Sequence, residues 1–181
     1  DDEKKLLKSY SFLTIKPIIY LANIDEEELG KEDNEYVKLV KNYAEKENAK
    51  VVSLCAKTEE DLSELDKDDK QEMLEALGLE HSGLDSLIKA TYDILGLATY
   101  FTVGKDEVRA WTFRKGMNAK ECAGIIHTDF EKGFIRAEVI SHTDLIDCGS
   151  ELKVKEAGKA RLEGKEYLMQ DGDICHFRFN V

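Results

Sequence analysis

Four groups of residues have the types and spacing to do chemistry. Asn23-Ile24-Asp25-Glu26 follows a short apolar run, Ile18-Ile19-Tyr20-Leu21-Ala22. If that run is a strand of an open α/β sheet, its carboxyl end is where a ligand sits. The carboxamide of Asn23 can bracket a purine, and the carboxylate of Glu26, three residues on, can accept from the base edge. The same acidic run can equally cap the start of a helix. His127 and Asp129, two residues apart, have the types of a general base and its orienting carboxylate, or of a helix cap. Lys153, Lys155, Lys159, Arg161 and Lys165 form the densest basic stretch, interrupted by Glu156 and Glu163. That stretch suits contact with RNA phosphates or a solvated loop. Trp111 is either a core residue or an exposed stacking platform.

Other chemistries lack their signatures. His81, His127, His142 and His176 show no metal-ligand spacing to one another or to cysteine. Cys55, Cys122, Cys148 and Cys175 are far apart with no Cys-x-x-Cys, a pattern of reduced, buried thiols. No nucleophile elbow accompanies the serines. A phosphate cradle needs Gly-x-x-x-x-Gly-Lys-Ser/Thr, whose backbone N–H groups and lysine hold the phosphates while its hydroxyl holds Mg²⁺. Gly104-Lys105 and Gly164-Lys165 lack both the preceding glycine and the following hydroxyl. The magnesium ligands of that class have no convincing counterpart.

The elements that must position these groups divide near Gly96, into domains of residues 1–94 and 95–181. Ordinary apolar content, 42% of 181 residues, is enough for a core without disulfides. The net charge of −12 lies almost wholly in the first part, where 13 Lys/Arg face 24 Asp/Glu, against 13 and 14 in the second. This balance argues against wholesale coating of nucleic acid and leaves local RNA contact open. No signal peptide and no apolar run of membrane-spanning length is visible, so a cytoplasmic protein with no membrane contact is expected. In the first part, Asp1–Leu13 has helical spacing and ends at Lys16-Pro17. Ile18–Ala22 reads as a strand covered on both faces. A helix over Asp33–Glu47 should turn Tyr36, Val37, Val40, Tyr43 and Ala44 inward. Ala49–Cys55 is a second strand, and charged helices follow over Glu59–Leu65, Lys70–Leu77 and Asp85–Leu95.

In the second part, Thr99–Val103 and Val108–Phe113 flank a hairpin turn, Gly104-Lys105-Asp106-Glu107. Asn118 should cap a short helix over Ala119–Ile126, with Glu121 completing a capping box. Phe134–Ile140 alternates as a strand, and Ile174–Phe179 follows the turn Gln170-Asp171-Gly172-Asp173. Strand, strand, helix, strand, loop, strand is the order of a ubiquitin-like β-grasp, an α+β fold.

Five segments of this part carry a resemblance: Phe101-Thr102-Val103-Gly104, Glu107–Trp111, Gly124–Phe130, Phe134–Val139 and Glu163–Tyr167. The ending Asp171–Val181 carries it too. Together these resemble the TGS domain that closes the YchF proteins, the Obg-like ATPase branch of the translation-factor P-loop NTPases. Leu13–Glu26 is similar to the base-recognition segment of that family, where Asn-x-x-Glu replaces the Asn-Lys-x-Asp of GTPases and accompanies acceptance of ATP. Cys55-Ala56-Lys57 is similar to its second base loop, usually Ser-Ala-Lys. The resemblance implies a partial P-loop NTPase (Rossmann-like, α/β) domain beginning near the end of a helical insertion, then a TGS β-grasp. It implies purine contacts by Asn23, Glu26, Cys55 and the backbone amide near Ala56. It further implies ATP or GTP with Mg²⁺ in a full-length protein, no nucleotide held by this chain alone, and ribosomes or ribosomal RNA as partner. Two other classes stay open: a stand-alone β-grasp module binding protein or RNA with no nucleotide function, and a small enzyme using His127 and Asp129.

Overall fold

The computed structural model describes residues 6–7, 9–104 and 107–180. Most of the helix expected over Asp1–Leu13 lies outside the described residues, as do Lys105 and Asp106 of the hairpin turn and the final Val181. The chain forms two compact units, Asp1–Leu95 and Gly96–Val181.

The first unit is built on two parallel strands, β1 (Ile19–Asn23) and β2 (Lys50–Leu54), paired from Ile19↔Lys50 to Asn23↔Leu54. Between them runs α1 (Glu35–Lys46), which Asn34 caps by accepting from the Val37 N–H. A parallel pair needs such a crossover, because its two strands run the same way. Three helices follow: α2 (Ala56–Glu64), α3 (Lys67–Ala76) and α4 (Gly83–Ile94). The carboxylate of Glu59 on α2 accepts from the N–H groups of Gly83 and Leu84, so one helix caps the next. Gly83 is also held close to β2. A Cβ there would stand 2.3 Å from the Leu54 Cβ, so only glycine permits the approach.

Burial corrects two expectations. Strand β1 is not covered on both faces: Leu21 is 49% exposed, and among the described residues β2 is its one strand neighbour. On α1 only Val37 and Ala44 are buried, while Tyr36 is 70% exposed and Tyr43 also faces out. A shared acceptor, rather than the core, holds the hydroxyls of Tyr20 and Tyr43. Tyr20 and Tyr43 both donate to Glu47, at 2.6 and 2.9 Å, which pushes the Tyr20 phenol up to about 12 and the Glu47 carboxyl down.

The second unit is a five-stranded sheet in the order β4-β3-β7-β5-β6. Strand β3 (Leu97–Val103) pairs antiparallel with β4 (Val108–Arg114), and β5 (Phe134–Ser141) lies between β6 (Arg161–Glu163) and β7 (Asp173–Phe179). β7 joins the two hairpin-like halves, pairing parallel with β3 at Phe101↔Ile174 and Thr102↔Cys175. Helix α5 (Ala119–Ile126) begins at the Asn118/Glu121 capping box and covers one face. There Ala119, Cys122 and Ala123 pack on Tyr100, Phe113, Ala137, Val139 and Phe177. The buried Tyr100 hydroxyl donates to the Cys122 carbonyl at 2.8 Å, which satisfies a polar group that burial would otherwise penalise.

Four short elements here are additional to the expected ones: α6 (Thr128–Lys132), α7 (His142–Cys148), α8 (Glu151–Glu156) and β6. Helices α7 and α8 cover the opposite face, where Val154, Leu145 and Cys148 meet Ile140 and Ile174. The alternation of β5 also breaks once. A bulge between Phe134 and Arg136 shifts the register and leaves Ile135 exposed, while Ala137 and Val139 are fully buried.

Gly83→Ala is expected to destabilise the chain by about 1–3 kcal/mol, since the added methyl meets Leu54 rather than open space. Urea unfolding of the variant against the parent checks this. A variant as stable as the parent or more so, as Gly→Ala is at an unobstructed helix position, would remove the close approach as a constraint.

Candidate functional site

The parallel register brings the two predicted base-reading segments together. Because Asn23 pairs with Leu54, the chain leaves β1 and β2 side by side, and Ile24 N–H still bonds the Leu54 carbonyl. Cys55 then turns the chain into α2. The outcome is an open cavity of about 480 Å³ lined by Asn23, Ile24, Asp25, Glu26, Glu27, Cys55 and Lys57, at the carboxyl ends of both strands.

Within it the side chains have different states. Asn23 Oδ1 accepts from the Ala56 N–H at 2.9 Å. That bond leaves the Asn23 Nδ2 group as the donor facing the cavity. The Ala56 amide, expected to face a base, is thus engaged by Asn23. The next N–H groups of the α2 first turn, Lys57 and Thr58, have no intrahelical acceptor and point to the same end. Glu26 opens a 3₁₀ turn, Glu26–Glu28, and its carboxylate is exposed with no hydrogen bond among the described residues. Glu28 instead does the structural work, accepting from Asn34 Nδ2 at 2.8 Å. Cys55 is buried, with its side chain closing the strand end.

Such a site can offer an amide donor, the free carboxylates of Glu26 and Glu27 and a helix N-terminus to a flat heterocycle. It holds no cluster of His, Cys, Asp and Glu suited to a metal ion, and none occurs among the described residues.

The second predicted pair is otherwise employed. His127 Nδ1 accepts from the Asp129 N–H at 3.2 Å, which caps α6, and the imidazole is 61% exposed. The pair lies on the surface, and its hydrogen bond serves the helix cap.

The predicted basic loop is in part helix and strand, with Lys159 in the connection between them. Lys153 and Lys155 lie on α8, Arg161 on β6, and Lys165 in the following turn. Lys155 pairs with Glu138 at 2.5 Å and Lys159 with Asp144 at 2.7 Å. These hydrogen bonds hold both carboxyls below the usual range and raise both lysines. Arg161 donates to Glu163 and to the Tyr167 hydroxyl, which in turn donates to the buried Asp173. Lys153 and Lys165 are exposed, and among the described residues Lys165 approaches Glu166 at 4.0 Å. Trp111 is half-buried, its Nε1 donating to Thr102 Oγ1 and its ring lying under Arg109 at 4.2 Å.

Residues 97–180 match the family YchF-GTPase_C, described as a protein of unknown function (DUF933). The whole chain is 57% identical over 182 residues to the Ribosome-binding ATPase YchF of Bacillus subtilis (strain 168), covering 50% of it. Its identity to the protein of the same name from Escherichia coli O157:H7 is 50% over 180 residues, or 99% of this chain and 49% of that one. The chain therefore spans about half the length of the curated relatives it matches. The fold superposes on the Schizosaccharomyces pombe YchF GTPase with a TM-score of 0.81 at 37% identity, over 96% of this chain and 46% of that one. A GTP binding protein from Pyrococcus horikoshii OT3 shares the fold at a TM-score of 0.63 and 20% identity, over 91% and 46% of the two chains.

Asn23→Ala removes the acceptor of the Ala56 N–H and is expected to cost about 0.5–1.5 kcal/mol of stability. Asn23→Asp keeps that acceptor and places a negative charge at the α2 N-terminus, so its melting temperature should match or exceed the parent's. Equal losses in the two variants would show that the bond contributes nothing.

Proposed function

This chain belongs to the YchF family, and on that premise we propose that its first unit supplies the base-reading end of a purine nucleotide site. The observation that carries the reading is the Asn23 Oδ1 to Ala56 N–H bond. It fixes a carboxamide with its donor turned outward, beside an unengaged Glu26 carboxylate, at the strand ends where α/β folds bind ligands. Asn23 Nδ2 donates to a purine ring nitrogen, Glu26 accepts from the base edge, and the free amides of the α2 first turn approach the ring from the other side. Cys55 takes the place of a serine, so its contribution is packing and backbone direction. Glu is one methylene longer than Asp and need not require the paired N1–H and N2–H₂ donors of guanine, which fits acceptance of ATP alongside or over GTP. The edge of β1 that no strand of the described residues pairs, with the exposed Leu21, Tyr36 and Tyr43, supports placing the phosphate cradle and Mg²⁺ ligands on a further part of the same sheet.

The second unit is, in this reading, a TGS β-grasp. Its helix α5 packed across a sheet with parallel central strands β3 and β7 supports that assignment. The relatives named ribosome-binding ATPases suggest a nucleotide-dependent, ribosome-associated role in the cytoplasm. Of the basic residues, Lys153 and Lys165 are the ones free to meet RNA phosphates, since Lys155, Lys159 and Arg161 already hold carboxylates.

Titrating ATP into this chain should shift the amide NMR signals of Asn23–Glu27 and Cys55–Thr58, with affinity in roughly the millimolar range expected when phosphate contacts are missing. Hydrolysis should stay at background. The reading is overturned by turnover that survives repurification and vanishes in Asn23→Ala, or by ATP shifts located elsewhere.

For the ribosome, Lys153→Glu with Lys165→Glu should weaken association with purified ribosomes and lower its log–log salt slope by roughly one unit per contact, without changing the melting temperature. Lys155→Glu with Lys159→Glu should instead lower the melting temperature, because Glu138 and Asp144 then face like charges. If the first pair of changes leaves affinity and salt slope alone, this face is not the contact surface.

A further inference from the structure

Glu26 stands on a single 3₁₀ turn, Glu26–Glu28, just beyond the end of β1. One turn is not stable by itself, so its side chains keep a fixed direction only if something else holds it. Of the acids Asp25, Glu26, Glu27 and Glu28, the first three are exposed and Glu28 alone is half-buried. Beside the turn lies a cavity of about 120 Å³, lined by Ile24, Glu28, Leu29, Asn34, Ser53 and Leu79. Close packing therefore does not hold the turn on that side, and polar contacts must.

Those contacts form a bridge of three hydrogen bonds. Glu28 accepts from the Asp25 N–H through Oε2 at 3.4 Å and from Asn34 Nδ2 through Oε1 at 2.8 Å. Asn34 in turn accepts from the Val37 N–H through Oδ1 at 2.9 Å. The far end of the bridge is α1, a twelve-residue helix packed on both strands. Each link has a fixed polarity. Asn34 must offer an acceptor to α1 and a donor to Glu28, which its carboxamide does. Glu28 must offer two acceptors, which its carboxylate does.

Resting on the purine reading of the neighbouring cavity, we propose that Glu28 and Asn34 are positioning residues for the base-reading carboxylate of Glu26. Neither touches the nucleotide. Their bridge fixes the Asp25 amide, and with it the direction in which the next side chain leaves the turn. Without the bridge the Glu26 carboxylate is spread over several directions and loses the base edge, because a contact of this kind depends on placement. Asn23 and the first amides of α2 are held by the strand register and keep their own contacts. A purely local role, with Asn34 capping α1 and Glu28 capping the turn, predicts altered stability and no change at the base.

The test uses the whole chain and a swap of polarity. Asn34→Asp keeps the acceptor for Val37, so α1 stays capped, but sets a second carboxylate against Glu28. Glu28→Gln leaves one of its two partners facing an NH₂ group. Made together, the two changes restore the bridge in reverse, with the new amide donating to the new carboxylate. In the chain without nucleotide, Asn34→Asp should speed hydrogen exchange of the Glu28 and Leu29 amides, which bond the Asp25 and Glu26 carbonyls. The double variant should return it to the parent's rate. On titration with ATP, Asn34→Asp should lose the NMR shifts at Asp25–Glu27 and keep those at Cys55–Thr58. Its affinity should fall roughly three- to tenfold, the scale of one hydrogen bond, and the double variant should recover both. Unchanged exchange in Asn34→Asp would show that the bridge does not hold the turn. Faster exchange with the parent's ATP shifts and affinity would leave only the local role and overturn the proposal. If the parent itself shows no ATP shifts at Asn23–Glu27, the purine reading falls and takes this role with it, while the exchange rates still report on the bridge.

Discussion

The first unit depends on one register, that of two parallel strands with Asn23 beside Leu54. The pairing sets where each chain segment leaves the sheet. It therefore decides that the Ala56 N–H meets the Asn23 carboxamide and that α2 starts at the strand end. One turn into α2, Glu59 reaches the first amides of α4, and the bare Cα of Gly83 rests against Leu54. A slip of one residue would turn every strand side chain to the other face and separate the two halves of the site at once. Strand pairing, helix capping and a glycine contact are here parts of a single geometric requirement.

Much of the fold is readable where one local rule dominates. Asn118 and Glu121 announce α5, and the apolar runs give β1 and β2. Reading fails where two short rules compete. Ser141 with Asp144, and Ser150 ahead of Lys153, are helix starts, and Gly149 in the left-handed region is a helix stop. Helices of six or seven residues show too little periodicity to support these caps, so the stretch reads as a loop. At Ile135 the alternation is real but interrupted by the bulge, which depends on the partner strand rather than on the local sequence. Tyr36 and Tyr43 have the spacing of an inner helix face and lie outside, because among the described residues nothing stands on that side of β1.

Charge behaves in the same way. Five cations between Lys153 and Lys165 look alike in sequence, yet three of them reach carboxylates twelve or more residues away. Glu138, Asp144 and Asp173 come from other strands and helices, and they turn three of the five into supports for the α7–α8 face. Depressed carboxyls at Glu138 and Asp144 express that attachment. The base-reading residues show the reverse. Glu26, in the midst of an acidic run, is left unengaged while its neighbour Glu28 binds Asn34.

The position of β7 in the sheet has a consequence for how the second unit comes into being. The strand at its centre is the last of the unit to be made, since residues 173–179 emerge after every other strand. Until then β3 with β4, and β5 with β6, have no common strand neighbour, and the core they share through α5 lacks Cys175 and Phe177. A ribosome synthesising this chain at some 5–20 residues per second exposes that half-built surface for several seconds. Folding of the unit is thus timed by the synthesis of β7, and the pairing of β3 with β7 makes that timing a property of topology.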